Sequence, residues 1–255
     1  QIRDRRIGCV ELLEYFLARV DRFNPKLNAV IAFRREAARE RAVEADAALQ
    51  RGEIWGPLHG LPMTVKESFD VAGLPTTWGV PALAKNIAKT DAVVVQRLTA
   101  AGANVFGKSN VPLLLGDFQS YNEVYGTSNN PWDLHCGPGG SSGGGSAALA
   151  AGLVALEAGS DIGGSIRNPP HFCGVYGHKP TWGIVPPRGH APPGILSQSD
   201  LSVVAPQARS AEDLAMSLDI MAGPDGLAAP GWRLELPRPK KKSISECRVA
   251  AWLDD

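Results

Sequence analysis

The chain has 255 residues, 44% hydrophobic, 20% charged and 7% aromatic, a profile that argues against a disordered chain and fits an ordinary folded domain. Its 26 Lys and Arg balance 26 Asp and Glu, so no net field draws it to nucleic acid or to an anionic membrane. No run approaches the ~18 apolar residues of a membrane span, and the charged first six residues are not a secretory apolar region, so a cytoplasmic location is expected.

In chain order, Val10, Leu13, Leu17 and Val20 recur at helical spacing, with Leu12, Phe16 and Phe23 widening the stripe. This predicts an amphipathic helix over residues 10–23, ended by Asn24-Pro25. Residues 37–51, rich in Ala, Glu and Arg and stopped by Gly52, predict a second helix with a solvated charged face. Residues 62–66 read as a strand that delivers Lys66 at its end. Asp91 is placed to cap a helix running to Ala101, Gly102 closes it, and a strand over 103–106 follows. That alternation is the mark of an α/β protein.

Residues 139–189 hold 13 of the 28 glycines, and residues 180–206 six of the 20 prolines. Loops this dense build sites. Cys9, Cys136, Cys173 and Cys247 form no Cys-x-x-Cys pair and read as reduced thiols, with Cys136 and Cys173 as small buried packing residues. Lys240-Lys241-Lys242 reads as a solvated run. The chain opens on Gln1, and an apolar stretch at 248–253, just before Asp255, looks like the start of another element, so truncation at both ends is expected.

Gly139-Gly140-Ser141-Ser142-Gly143-Gly144-Gly145-Ser146 is the most conspicuous stretch. A phosphate loop would need Lys followed by Ser or Thr where Ala147-Ala148 stands. A Gly-x-Ser-x-Gly elbow is matched twice, but it needs a strand running into the turn, and Asn130-Pro131-Trp132 and Gly137-Pro138 precede it instead. A second glycine turn, residues 160–167, brings Ser165 in 24 residues after Ser141. Its Gly163-Gly164 leaves backbone N–H groups uncovered beside a serine hydroxyl, as an oxyanion hole requires, and Asp161 and Arg167 flank it with opposite charges.

A serine needs a base, either His or a Lys kept neutral by burial. His59, His135, His171, His178 and His190 have no acidic partner at a telling distance, which makes Lys66 the better candidate.

The stretch over residues 139–183, GGSSGGGSAALAAGLVALEAGSDIGGSIRNPPHFCGVYGHKPTWG, resembles the defining signature of the amidase signature hydrolases. Leu61-Pro62-Met63-Thr64-Val65-Lys66-Glu67 is similar to the family's lysine strand, and residues 126–132 to its approach to the serine loop. The resemblance runs from about residue 10 to at least 221. It implies Ser165 as nucleophile, Ser141 as a bridging serine on a cis peptide, and Lys66 as the base at the far end. It further implies an oxyanion hole from the N–H groups of Ile162, Gly163, Gly164 and Ser165, with Ser142, Asp161 and Arg167 in support and no metal or organic cofactor.

Leu113-Leu114-Leu115 and Phe118 match a segment that lines the acyl pocket in relatives, with Gly139 and Gly140 beside it, while Asp117 and Gln119 could read a polar group. His178 departs from the apolar residue usual before the Lys-Pro of the signature. The implied partner is a small-molecule amide, without nucleic acid or membrane, in a possible homodimer supported by the N-terminal helical pair. Two alternatives remain: the glutaminase subunit of a tRNA-dependent amidotransferase, and a non-catalytic binding protein on the same fold. Leu115-Gly116-Asp117-Phe118 does not resemble the acidic, methionine-containing stretch expected of the former, and the presence of Lys66, Ser141 and Ser165 argues against the latter.

The expected architecture is α/β: a large mixed twisted sheet covered by helices in an α/β/α sandwich. It is one domain over 1–255, with a helical pair at about 8–52, a catalytic core at about 58–223, and a remainder beyond the sequence. Family members are commonly longer, and a sheet ending here would expose a long edge.

Overall fold

The computed structural model describes residues 1–195, 197–226, 228–237, 240–241 and 243–250. Lys242 and the end of the expected element at 248–253 lie outside the described residues; Lys240 and Lys241 are exposed.

Helix α1 (Cys9–Leu27) buries Leu13, Phe16, Leu17 and Val20, the stripe its spacing predicts. It runs past Asn24-Pro25, contrary to expectation, and ends at Asn28 in the left-handed region with φ 47°. A proline in the last turn forfeits only one intrahelical bond. The Asn24 side chain meanwhile ties the following chain down, accepting from Ala29 and Val30 N–H (both 2.9 Å) and donating to the Val30 carbonyl at 2.8 Å.

Strand β1 (Val30–Phe33) leads to α2 (Arg35–Gln50), whose buried face is Ala38, Ala42, Ala45, Ala48 and Leu49. Its charged face is less free than expected. Arg35 and Arg39 pair with Asp21 and Glu14 of α1, and Arg41 donates to the Ala103 and Thr99 carbonyls. Asp46 supplies the cap that Gly8 cannot, accepting the Cys9 and Val10 N–H groups at 2.6 and 3.1 Å.

Strand β2 (Pro62–Lys66) follows, then α3 (Val93–Ala100) and β3 (Asn104–Ser109). Asp91 does not cap α3. Ala92 precedes the helix, and Asp91 instead accepts the Ala72 N–H at 2.8 Å, pinning the loop after β2. The chain continues through a small hairpin, β4 (Tyr121–Asn122) with β5 (Gly126–Thr127), then α4 (Gly143–Ala150), β6 (Glu157–Asp161) and α5 (Asn168–Cys173). It ends in β7 (Tyr176–Gly177), β8 (Val203–Ala208) and α6 (Ala211–Met221), followed by a short 3-10 turn over Ile244–Glu246.

Six strands form one mixed sheet in the order β1-β3-β2-β6-β8-β7. The β3-β2-β6 centre is parallel and the remaining pairings are antiparallel. Alternation along a strand sends neighbours to opposite faces. Thus Val105 joins a core with residues of α3 and α6, while Phe106 joins a second core with residues of α1, α2 and α4. The sheet is therefore covered by helices on both sides. Strand β8 is a surprise on sequence grounds, since Pro206 sits in it. The two-residue β7 pairs only with Gln207 and Ala208, so at Pro206 only the carbonyl is used, accepting from His178 N–H at 3.4 Å.

The glycines that open α4 are required by close packing. A Cβ on Gly144 would stand 2.4 Å from Asn110 N and 2.7 Å from the Ala29 carbonyl oxygen, both backbone atoms that cannot swing aside. Gly144→Ala is expected to cost about 3 kcal/mol or more, whereas Gly226→Ala, with open space around its Cβ, changes stability by less than about 0.5 kcal/mol. Urea unfolding of the two variants checks this; equal midpoints would show that α4 can retreat from β3 and β1.

Candidate active site

The end of β2 places Lys66 between two parallel neighbours, fully buried. Its Nζ lies 2.7 Å from Ser141 Oγ, 3.0 Å from Ser160 Oγ and 3.4 Å from the Ser160 carbonyl oxygen. Ser141 comes from the loop before α4, after a cis Gly140–Ser141 peptide, and Ser160 from the end of β6. Ser165 lies on the following turn. Ser141, Ser160 and Ser165 line one cavity of about 910 Å³, together with Trp78, Leu115 and His190. Among the described residues no hydrogen bond joins Ser141 Oγ to Ser165 Oγ. The two loops are linked instead through the Ser142 N–H, which donates to the Ser165 carbonyl at 3.3 Å.

Burial pushes the Lys66 amine down to about 7, against the opposing charges of Asp161 and Glu157. Glu157, also fully enclosed, is pushed up to about 7 by burial, opposed by hydrogen bonds from Ser109 (2.5 Å) and Thr64 and by the Lys66 charge. A second buried amine, Lys108, is lowered to about 8 by burial, but it donates to the Pro75 carbonyl and Thr76 Oγ1. Only Lys66 meets the serine hydroxyls.

Asp161 organises the turn. Burial would raise its carboxyl, but bonds from Arg167 and from the Ile166 and Gly164 N–H groups outweigh it and hold it below the ordinary 3.8. The four contacts are Gly164 N and Ile166 N, both at 2.9 Å, and Arg167 Nη2 and Nε at 2.9 and 3.1 Å. The Gly164 N–H, one of the four expected oxyanion donors, is thereby engaged by Asp161, while among the described residues no hydrogen bond is made by the N–H groups of Ile162, Gly163 and Ser165. Ser142 Oγ donates to the Ser160 carbonyl at 3.2 Å, the acceptor that Lys66 also touches.

Of the expected pocket residues, Leu115 lines the cavity, but Phe118, Gly139 and Gly140 do not. Gly140 N donates to Asn168 Oδ1 at 3.2 Å, and a Cβ there would meet the Asp117 carbonyl oxygen at 2.3 Å, so these glycines serve loop packing. The Phe118 ring lies over Gly164, where a Cβ would approach its Cε1 at 3.3 Å. Cys173 is a buried thiol raised to about 12 by burial, as its packing role requires. Cys136 is exposed, contrary to expectation, with Sγ 3.5 Å from Asp133 Oδ2.

His59 bridges the Trp55 N–H and the Ala45 carbonyl, and His135, His171 and His178 are exposed. Ser160, Glu157, Trp78 and His190 carry no assigned role in the sequence reading. Glu157, an acid directly after the apolar Leu153–Leu156 run, was the available signal. Among the described residues no group of three His, Cys, Asp or Glu side chains is placed to hold a metal ion, and no helix is long and apolar enough to cross a membrane.

Because the folded Asp161 is more acidic than the unfolded, its stabilisation is complete above the ordinary 3.8 and is lost as pH falls through the folded value. Asp161→Asn is expected to cost about 2–3 kcal/mol at pH 7 and to flatten the acid limb below pH 4. Thermal melts across pH 2–7 measure both; an unchanged acid limb would remove Asp161 as its source.

A family model described as Amidase matches residues 11–255. The chain is 42% identical to fatty-acid amide hydrolase 2 of Homo sapiens, covering 88% of this chain and 43% of that protein. It is 45% identical to an acylamidase of Rhodococcus erythropolis (84% and 44% covered), and 42% to a glutamyl-tRNA(Gln) amidotransferase subunit of Coxiella burnetii (88% and 45%). Among solved structures, a bacterial aryl acylamidase of the amidase signature family superposes with a TM-score of 0.84 at 28% identity, covering 92% of this chain and 48% of that one. The chain spans less than half the length of these curated relatives. With the lysine-ended strand, the two serine loops and the mixed sheet all in place, the chain belongs to the amidase signature family of amide hydrolases.

Proposed function

We propose that the protein hydrolyses a carboxylic acid amide to the acid and ammonia or an amine, through an acyl ester on Ser165. The observation that carries this reading is the 2.7 Å contact of a buried Lys66 amine with Ser141 Oγ, in the cavity that also holds Ser165. With its pKa near 7, the amine has a lone pair to offer at neutral pH. Neutral Lys66 takes the proton of Ser141, and Ser141 takes that of Ser165 as its oxygen attacks the amide carbonyl carbon. The negative charge passes to the carbonyl oxygen, where the N–H groups of Ile162, Gly163 and Ser165 receive it. As the C–N bond breaks, the proton returns through Ser141 to the leaving nitrogen. Water then attacks the ester by the same relay, freeing the acid and Ser165. The Ser141 to Ser165 step needs a contact that tightens on substrate binding, as catalytic hydrogen bonds commonly do.

Ser142 and Arg167 support this site indirectly, through the Ser160 carbonyl and Asp161. The reading calls on no metal or organic cofactor and no nucleic acid; it places the enzyme in the cytoplasm, with the α1–α2 pair as its homodimer surface. A second reading, the glutaminase subunit of an amidotransferase, is favoured by the 42% identity to one such protein. It uses the same relay and differs in requiring other polypeptides of the assembly for activity.

Ammonia or amine release by the full chain should fall at least about a thousandfold in Ser165→Ala and in Lys66→Ala. In the wild type kcat/KM should rise with pH through a limb near 7, as Lys66 loses its proton. Removing the Glu157 charge in Glu157→Gln takes away an attraction that raises the Lys66 pKa, so the limb moves to lower pH. Wild-type turnover in Lys66→Ala at neutral pH would remove Lys66 as the base.

A further inference from the structure

His190 lines the cavity with the serines, yet the relay makes no use of it. It is poorly suited to act as a base. Among the described residues no carboxylate hydrogen-bonds it, Nε2 lies 2.9 Å from Ser68 Oγ, and burial, reinforced by the Lys66 and Lys108 charges, pushes its pKa down to about 3. What it presents is an uncharged flat ring. That ring sits against two others, Phe69 behind it (centroids 4.5 Å apart, planes at 49°) and Trp78 beside it (5.1 Å, 55°). Phe69 is fully buried; Trp78 and His190 are also buried, at 7% and 8% exposure, but both form part of the cavity wall.

The indole is held there against backbone preference. Trp78 has φ +56°, a region bulky residues avoid. Its backbone N–H donates to Glu67 Oε2 at 2.9 Å, Thr77 N–H donates to Glu67 Oε1 at 2.5 Å, and the Trp78 carbonyl accepts from Leu114 N–H at 2.7 Å. Leu114 and Leu115, with φ +51° and +58°, line the same cavity. Three non-glycine residues in left-handed backbone on one wall mark a surface fixed by its surroundings, and such strain gathers where ligands are gripped. The imidazole is fixed as firmly: Gly189 O accepts Asp70 N–H at 2.8 Å and Arg188 O accepts Val93 N–H at 3.0 Å, tying the loop that carries it to the segment after β2 and to the first residue of α3.

We propose that the Trp78–His190 ring pair is a recognition surface for a flat aromatic ring carried by the amide substrate next to the scissile bond. This rests on the amide-hydrolase reading. Aromatic rings gain from offset and edge-on contact with one another beyond the area they bury. A saturated ring of the same size is at least as hydrophobic, so burial alone gives no preference for the flat one. His190 and Trp78 are therefore specificity-determining residues, and the ring sits on either the acyl or the amine side of the bond.

The test measures binding in Ser165→Ala, so that it does not depend on turnover. Calorimetry compares benzamide with cyclohexanecarboxamide (ring on the acyl side) and acetanilide with N-cyclohexylacetamide (ring on the amine side). In one pair the aromatic member should bind about tenfold more tightly, the size of an aromatic pair contribution, and that pair identifies the side. Adding His190→Gln, which keeps a polar end but no ring, should bring the ratio to about one. Adding His190→Phe, which keeps a ring but cannot bond Ser68, should preserve it. Trp78→Leu should act as His190→Gln does and stands in for it if that variant melts early. Equal affinities within both pairs, no binding of any of the four, a ratio that survives both His190→Gln and Trp78→Leu, or a ratio lost equally in His190→Phe and His190→Gln would each overturn the proposal. A flat-ring preference in a protein whose wild type and Ser165→Ala both lack turnover would leave the ring surface standing and sink the relay.

Discussion

The burial of one amine governs the site. A lysine at the end of a central strand, enclosed on all sides, is costly to keep charged, and the protein lowers that cost by letting the amine lose its proton near neutrality rather than by pairing it directly with a carboxylate. Its contacts run instead to Ser141 Oγ and to the hydroxyl and carbonyl oxygens of Ser160, so the neutral amine spends its two N–H groups on Ser160 and turns its lone pair to the Ser141 hydroxyl. Asp161 and Glu157 act on it from a distance, and each is occupied with other donors. Had either bonded the amine, the lysine would be a salt-bridge cation and useless as a base.

The surrounding structure follows from holding that amine and two serine loops in register. Strand β2 supplies the lysine, β6 supplies Ser160 and Asp161, and their parallel pairing brings the two strand ends together. Helix α4 must then press against β1, β3 and β6 so that the loop ahead of it reaches Lys66. That approach leaves no room for a Cβ at Gly144, nor at Gly145, where one would meet the Glu157 side chain at 2.5 Å. The glycine run thus has a packing cause as well as a chemical setting, and the same close approach seals Glu157 beneath the site.

Where the sequence reading and the structure part, the competing interactions can be named. Asp91 was in cap position but is drawn off by the Ala72 N–H, and Asp46, far away in sequence, caps α1 instead. Pro25 did not end its helix because Asn24 and the buried Leu27 hold the last turn. Strand β8 tolerates Pro206, a residue that argues against a strand, because its partner β7 is too short to ask for an N–H there. Gly164 resembled an oxyanion donor but spends its N–H on Asp161, a choice made by a turn whose shape depends on Arg167.

Local chemistry in the chain determined much by itself: the helical stripe of α1, the lysine at a strand end, the serine loops with their uncovered backbone, and the long signature that marks the family. These are short-range properties, fixed by side-chain spacing and by the conformations glycine permits. Only the tertiary structure decided the rest. Whether Lys66 or Lys108 meets serines, how far burial lowers an amine, which N–H group of the 161–166 turn Asp161 engages, and that the Phe69 and Trp78 rings pack at a tilt against His190 beside the cavity all depend on contacts between residues distant in sequence. Desolvation and ring packing arise only when the sheet and its helices close around them, so no window of sequence carries them.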